Sequence, residues 1–219
     1  MKYQAVIFDL DGTLLDTLDD LAASANRALA ANGYPSHPSD AYRWFIGDGS
    51  AVLIERALPA AKRSPDIIAT CLQALLNDYN RNWHCATRPY NGIPELLGEL
   101  QRRGRQMAVV TNKPHRFTGL MIDHYFRAVP FRSILGQQDG IPKKPDPQQA
   151  LDAARAMNVS PAQCLFLGDS AVDMETAKRA GMLPVGADWG FRPRQELIDA
   201  GAVRVLAHPL DLLRLIEAS

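Results

Sequence analysis

An α/β architecture is expected from this sequence: a doubly wound, mostly parallel sheet of Rossmann-like type, with a small helical domain inserted near its start. Short apolar runs alternate with amphipathic stretches along most of the chain, whereas residues 17–83 show helical spacing alone. The first run, Ala5-Val6-Ile7-Phe8, is compact and ends in polar residues, as a strand buried on both faces reads. Met107-Ala108-Val109-Val110 and Cys164-Leu165-Phe166-Leu167 repeat it, and Ser133-Ile134-Leu135, Pro184-Val185-Gly186-Ala187 and Arg204-Val205-Leu206 are weaker versions. Helices are expected between them. Pro94 stands early and Gly104 late around Glu95-Leu96-Leu97-Gly98-Glu99-Leu100, and residues 147–157 and 172–180 follow the same logic, the latter closed by Gly181. In the insert, Leu18, Leu21, Ala22, Ala25 and Leu29 recur at three- and four-residue steps, as do Ile67, Ile68, Cys71, Leu72, Leu75 and Leu76. The expected division is therefore 1–16 with 84–219 as the α/β domain and 17–83 as the helical one.

The 219 residues carry 24 basic and 24 acidic side chains, so no net charge draws the protein to nucleic acid or anionic lipid. No apolar stretch approaches the roughly 20 residues that cross a bilayer, and Asp9 and Asp11 cut the first run short of a signal peptide. Cys71, Cys85 and Cys164 have no metal-ligand spacing and one would be left over from any pairing. The expectation is a cytoplasmic protein without membrane or nucleic-acid partners, monomeric or homodimeric. Five histidines show no metal spacing, and Trp44, next to Phe45 and Ile46, reads as local core.

Four polar stretches follow these strands. Phe8-Asp9-Leu10-Asp11-Gly12-Thr13 places two carboxylates at the carboxyl edge of the first strand, where such sheets bind ligands. Val110-Thr111-Asn112-Lys113-Pro114 ends another strand in a hydroxyl and an amide, with Pro114 suited to the first turn of a helix whose N–H groups face an anion. Prolines keep the chain extended around Lys144 in Pro142-Lys143-Lys144-Pro145, and Gly168-Asp169-Ser170 with Asp173 opens a last helix. Taken singly, each reads as a turn or a helix cap. Together, at the ends of separate strands of one sheet, Asp9, Asp11 and Asp169 gather negative charge that a hard cation would neutralise, and Mg2+ prefers such oxygen ligands. Thr111, Asn112 and Lys144 then offer donors to a phosphate, which is the equipment of phosphoryl transfer.

These four motifs, in this order, resemble those of the haloacid dehalogenase superfamily, and the likeness runs nearly end to end. Within it the phosphoglycolate phosphatase group is most similar, through Arg43-Trp44-Phe45-Ile46-Gly47-Asp48-Gly49, Val110-Thr111-Asn112-Lys113-Pro114 and Trp189-Gly190-Phe191-Arg192. The resemblance implies a helical cap after the first motif and magnesium-dependent hydrolysis of a small phosphorylated metabolite, 2-phosphoglycolate foremost, through an aspartyl phosphate. It assigns Asp9 as nucleophile, Asp11 as general acid and base, and Mg2+ to Asp9, the Asp11 carbonyl and Asp169. Thr111, Asn112 and Lys144 would bind the phosphoryl group, with Thr13, Ser170 and Asp173 behind them. Arg43, Gly47 and Gly49 of the cap would meet the leaving group. A phosphomutase similar to beta-phosphoglucomutase, or a phosphatase of another sugar phosphate or nucleotide, would share these motifs; a dehalogenase would lack Asp11, and a phospho-receiver would lack the insert.

Overall fold

The computed structural model describes residues 3–217. In chain order the strands are β1 Ala5–Phe8, β2 Leu15–Asp16, β3 Arg88–Pro89, β4 Gln106–Pro114, β5 Ser133–Gln137, β6 Cys164–Gly168, β7 Leu183–Ala187 and β8 Arg204–Leu206. The helices are α1 Leu18–Ala31, α2 Tyr42–Phe45, α3 Ser50–Ala57, α4 Pro65–Asn82, α5 Ile93–Arg102, α6 His115–Tyr125, α7 Gln148–Ala156, α8 Ala171–Arg179, α9 Arg194–Asp199 and α10 Asp211–Glu217. The chain forms two compact units, residues 1–15 with 89–219 and residues 16–88.

The first unit is built on a six-stranded sheet in the order β5-β4-β1-β6-β7-β8 with parallel pairing throughout. β1 is central, and Ile7 and Phe8 are fully buried, each worth about 1.5–3 kcal/mol relative to exposure. Ile7, Ala108, Val110 and Phe166 share a core with the small face of α7, Ala150, Ala153 and Ala154, and with Ala177 of α8. Alanines there let helices approach the sheet closely. The register decides the site: Phe8 lies beside Val109 of β4 and Leu167 of β6, so the residues after these three positions emerge together at the carboxyl edge.

The α/β architecture agrees with the reading of the sequence, and even the weaker runs are strands. β4, however, is longer than its apolar stretch. After a register shift it still pairs Pro114 with Gln137 of β5, so Thr111, Asn112 and Lys113 lie on extended backbone and α6 begins only at His115. Pro114 thus precedes the first helical turn instead of opening it.

The second unit is helical, with α1 packed on α4 and their exposed faces bridged by Arg27 and Asp78 at 2.6 Å. Asp20, buried in the first turn of α1, accepts hydrogen bonds from the main-chain N–H of Ala86 and Thr87 and from the Thr87 hydroxyl at 2.7 Å. That carboxylate ties residues 86 and 87 to the helices, so the chain leaves this unit only at Arg88. Between α2 and α3 the chain turns through Gly47 and Gly49, at φ of +124° and +92°, conformations open to glycine. Arg56 fastens the turn: it lies 2.6 Å from the Asp48 carboxylate and donates to the carbonyls of Trp44 and Phe45. Trp44 itself is 54% exposed, contrary to its expected place in the local core. In a helix as short as α2 the inward position falls to Tyr42, which is fully buried and donates to Asn26, and a residue two positions on faces away.

Candidate active site

Asp9 follows the central strand, and its N–H remains in the sheet, donating to the Leu167 carbonyl at 2.9 Å. Its carboxylate accepts from the Leu10 N–H at 2.7 Å and lies 3.0 Å from the Lys144 ammonium. Lys144 also reaches Asp173 at 2.6 Å. The second Asp173 oxygen accepts from the Ser170 N–H and hydroxyl, at 3.1 and 2.6 Å, which makes Ser170 and Asp173 the capping box of α8. One carboxylate therefore starts a helix and aims a lysine at the end of another strand.

Asp169 is held separately. Thr13 donates to one oxygen at 3.2 Å and the Phe191 N–H to the other at 2.8 Å, while Trp189 fixes the same loop by donating to the Thr13 carbonyl at 3.0 Å. Gly12, at φ +80°, lies so close that a Cβ there would stand 2.2 Å from an Asp169 oxygen. Glycine is what allows the first loop and Asp169 to meet.

Asn112, expected as a donor to phosphoryl oxygens, has its amide on the Lys144 main chain, donating to the carbonyl at 3.1 Å and accepting from the N–H at 2.9 Å. The Thr111 hydroxyl accepts from the Lys113 N–H at 3.3 Å, which leaves its own hydrogen to donate. Lys113 was not singled out from the sequence. Its buried ammonium lies 3.0 Å from both oxygens of Asp11. The signal was its place in the polar stretch that ends this strand, directly after Thr111 and Asn112. Thus Asp9, Asp11, Thr13, Thr111, Asn112, Lys144, Asp169, Ser170 and Asp173 all belong to one edge of the first unit, whereas Arg43, Gly47 and Gly49 belong to the helical unit.

The electrostatics follow from burial. Burial, with the neighbouring Asp173, raises the Asp9 carboxyl to about 6 despite Lys144. Burial, then Asp173 and Asp9, hold Asp169 well above the usual carboxylate range. Burial alone would lower Lys144, but Asp173 and Asp9 keep it above an ordinary lysine. Ligand atoms of Asp9, Asp169 and Asp173 lie within 4.8 Å of one another, a set of hard oxygens that fits a divalent cation. Of these three, Asp173 has both oxygens engaged by Lys144 and Ser170.

The haloacid dehalogenase-like hydrolase profile matches residues 6–187. A phosphoglycolate phosphatase of Pseudomonas putida is 39% identical over 85% of this chain and 70% of its own length. An N-acetylmuramic acid 6-phosphate phosphatase of Pseudomonas aeruginosa is 32% identical over 99% of this chain and 96% of its own. The crystal structure of a predicted phosphoglycolate phosphatase from Haemophilus somnus superposes with a TM-score of 0.91 at 28% identity, covering 98% of both chains. Among the described residues no helix is long and apolar enough to cross a membrane.

A carboxyl whose value rises from 3.8 unfolded to about 6 folded holds its proton more tightly in the native state, so metal-free stability should fall as pH rises through that window. A cation that binds the ionised pair removes this cost. Saturating magnesium chloride is expected to raise the thermal midpoint more at about pH 7.5 than at about pH 5, measured by differential scanning fluorimetry. Equal gains at both values would refute the assignment.

Proposed function

This chain belongs to the haloacid dehalogenase-like hydrolase family and is a phosphoric monoester hydrolase, and we propose that it hydrolyses a small phosphorylated metabolite, 2-phosphoglycolate, with magnesium and through a phosphoaspartate on Asp9. The observation that carries the reading is the buried chain Asp9–Lys144–Asp173 beside Asp169, at the end of the central strand. Asp9, Asp169 and the main-chain carbonyl of Asp11 would hold Mg2+, which supplies positive charge against the nucleophile and the phosphoryl oxygens.

The Asp9 oxygen attacks phosphorus as the ester P–O bond breaks, and Asp11 gives its proton to the departing oxygen. Asp11 then takes a proton from water, whose oxygen attacks the same phosphorus and returns Asp9 as a carboxylate with inorganic phosphate released. Lys144 holds the nucleophile and stabilises the charge that grows on the phosphoryl oxygens, aimed by Asp173 and by the grip of Asn112 on its main chain. Thr111 donates to the phosphoryl group. Thr13 and Ser170 act one step back, through Asp169 and Asp173.

We assign catalysis to the sheet unit and a share in choosing the leaving group to the turn around Gly47 and Gly49, with Arg43 beside it. Asp48 need not repel an anionic substrate, because Arg56 pairs with it. A second reading concerns the leaving group alone. A relative that matches over 99% of this chain and 96% of its own length is named for a sugar-acid phosphate, so N-acetylmuramic acid 6-phosphate stands beside 2-phosphoglycolate. Both names denote phosphate monoesters of organic acids.

Asp9→Asn keeps the shape and loses the nucleophile, so turnover of 2-phosphoglycolate should fall by about 10³-fold or more with the fold intact. Activity within tenfold of wild type, in protein shown free of contaminating phosphatase, would sink the mechanism. Asp11→Asn should cost about 10²- to 10⁴-fold on an alkyl phosphate and markedly less on an aryl phosphate, whose phenolate leaves without a proton. Equal penalties would remove Asp11 as the acid. Gly47→Val places a branched side chain at φ +124° and should raise KM or lower kcat for the metabolite more than for phenyl phosphate. Equal effects would leave the turn with a structural part only.

A further inference from the structure

The mechanism above leaves Lys113 without work. Burying an ammonium is expensive unless anions repay it, and here the side chain is 3% exposed with both Asp11 oxygens at 3.0 Å. The phosphoryl group does not need this second lysine, since Lys144 and the proposed cation already meet its charge. Asp11, meanwhile, must be able to approach the ester oxygen of the substrate, and its partner must then neutralise something else.

We propose that Lys113 is the specificity-determining cation of the site, and that it pairs with a carboxylate carried by the leaving group close to the ester oxygen. The inference rests on the phosphatase reading and deepens it. Two independent pieces of geometry lead there. An ester oxygen hydrogen-bonded to Asp11 lies within about 6 Å of the Lys113 ammonium, because the ammonium is itself 3.0 Å from that carboxyl group. Along β4, Lys113 follows Thr111 by two residues and donates its N–H to the Thr111 hydroxyl at 3.3 Å, so its side chain starts from the position next to that hydroxyl. If Thr111 binds the phosphoryl group, Lys113 therefore lies where the leaving group extends. An acid whose carboxylate is one or two carbons from its phosphorylated oxygen spans that distance, and a simple alcohol offers the ammonium nothing. On binding, the substrate carboxylate takes the place of Asp11 beside Lys113, and Asp11, no longer held ionised by the ammonium, takes up a proton from solvent and turns to the ester oxygen. The ammonium reads the acid, and the acid's arrival lets Asp11 carry the proton that the leaving oxygen needs.

The test compares 2-phosphoglycolate with its neutral amide, 2-phosphoglycolamide, in magnesium buffer with phenyl phosphate as reference. Wild type is expected to favour the carboxylate by about 30-fold or more in kcat/KM, as for other buried charge pairs. In Lys113→Met both activities fall, because Asp11 loses its partner, but the preference shrinks to about threefold; Lys113→Arg, which keeps the charge, restores part of it. A preference that survives intact in Lys113→Met places the reader elsewhere and overturns the inference. The wild-type comparison needs no variant to fold, and the absence of any preference there overturns it as well, while phenyl phosphate turnover leaves the phosphatase reading standing. If none of the three esters is hydrolysed, the phosphatase reading fails and this inference falls with it.

Discussion

Lys144 lies buried between two buried carboxylates, 3.0 Å from Asp9 and 2.6 Å from Asp173, and the remaining groups at the sheet edge depend on that ammonium. Breaking one partner out of such a group costs about 3–5 kcal/mol, because the others are left charged and dry. The fold meets this constraint with three separate segments. β1 delivers Asp9 at the centre of the sheet, the capping box of α8 locks Asp173, and the Asn112 amide grips the Lys144 main chain from the end of β4. Each anchor is a group already required for its own local structure. Their convergence leaves the site little freedom before substrate arrives.

Even so, one lysine does not balance three acids. Burial raises Asp9 and Asp169 together, and Lys144 offsets only part of that cost. An incomplete balance suits the proposed site, where a cation and an anionic phosphoryl group would bind, since a fully neutralised edge would bind neither. Lys113 and Asp11 form a second pair at 3.0 Å, on the outer side of the same edge. The inner pair is tied down by helix, strand and loop. The outer pair joins the first loop to the end of β4, where the Lys113 N–H donates to the Thr111 hydroxyl and its carbonyl accepts from Thr118.

The helical unit solves a different problem. Four helices with a modest core need their ends secured, and buried polar groups do much of this: Asp20 binds residues 86 and 87, and Asn26 joins the His37 main chain to the Tyr42 hydroxyl. These contacts link residues far apart in the chain. Periodicity in the sequence shows which faces are apolar but carries no trace of such long-range polar links. That is why the helices of 17–83 were legible while the association of residues 84–88 with them was not. Trp44 failed for a related reason, because the local core was filled by Tyr42 from within the same short helix.

The sequence by itself determined the alternation of buried strands and helices, the placing of Asp9, Asp11, Lys144 and Asp169 after strands, and the strand-free insert, because burial on both faces leaves an unbroken apolar run and polar residues then mark its end. Tertiary structure decided which polar groups meet. It gave Asn112 to the Lys144 main chain, Asp173 to the cap of α8 as well as to the lysine, and Lys113 to Asp11 across 102 positions of the chain. Spacing along a chain reports the face a side chain takes on its own element, whereas the partner it finds there depends on strand order and register, which are settled only when the whole sheet is assembled.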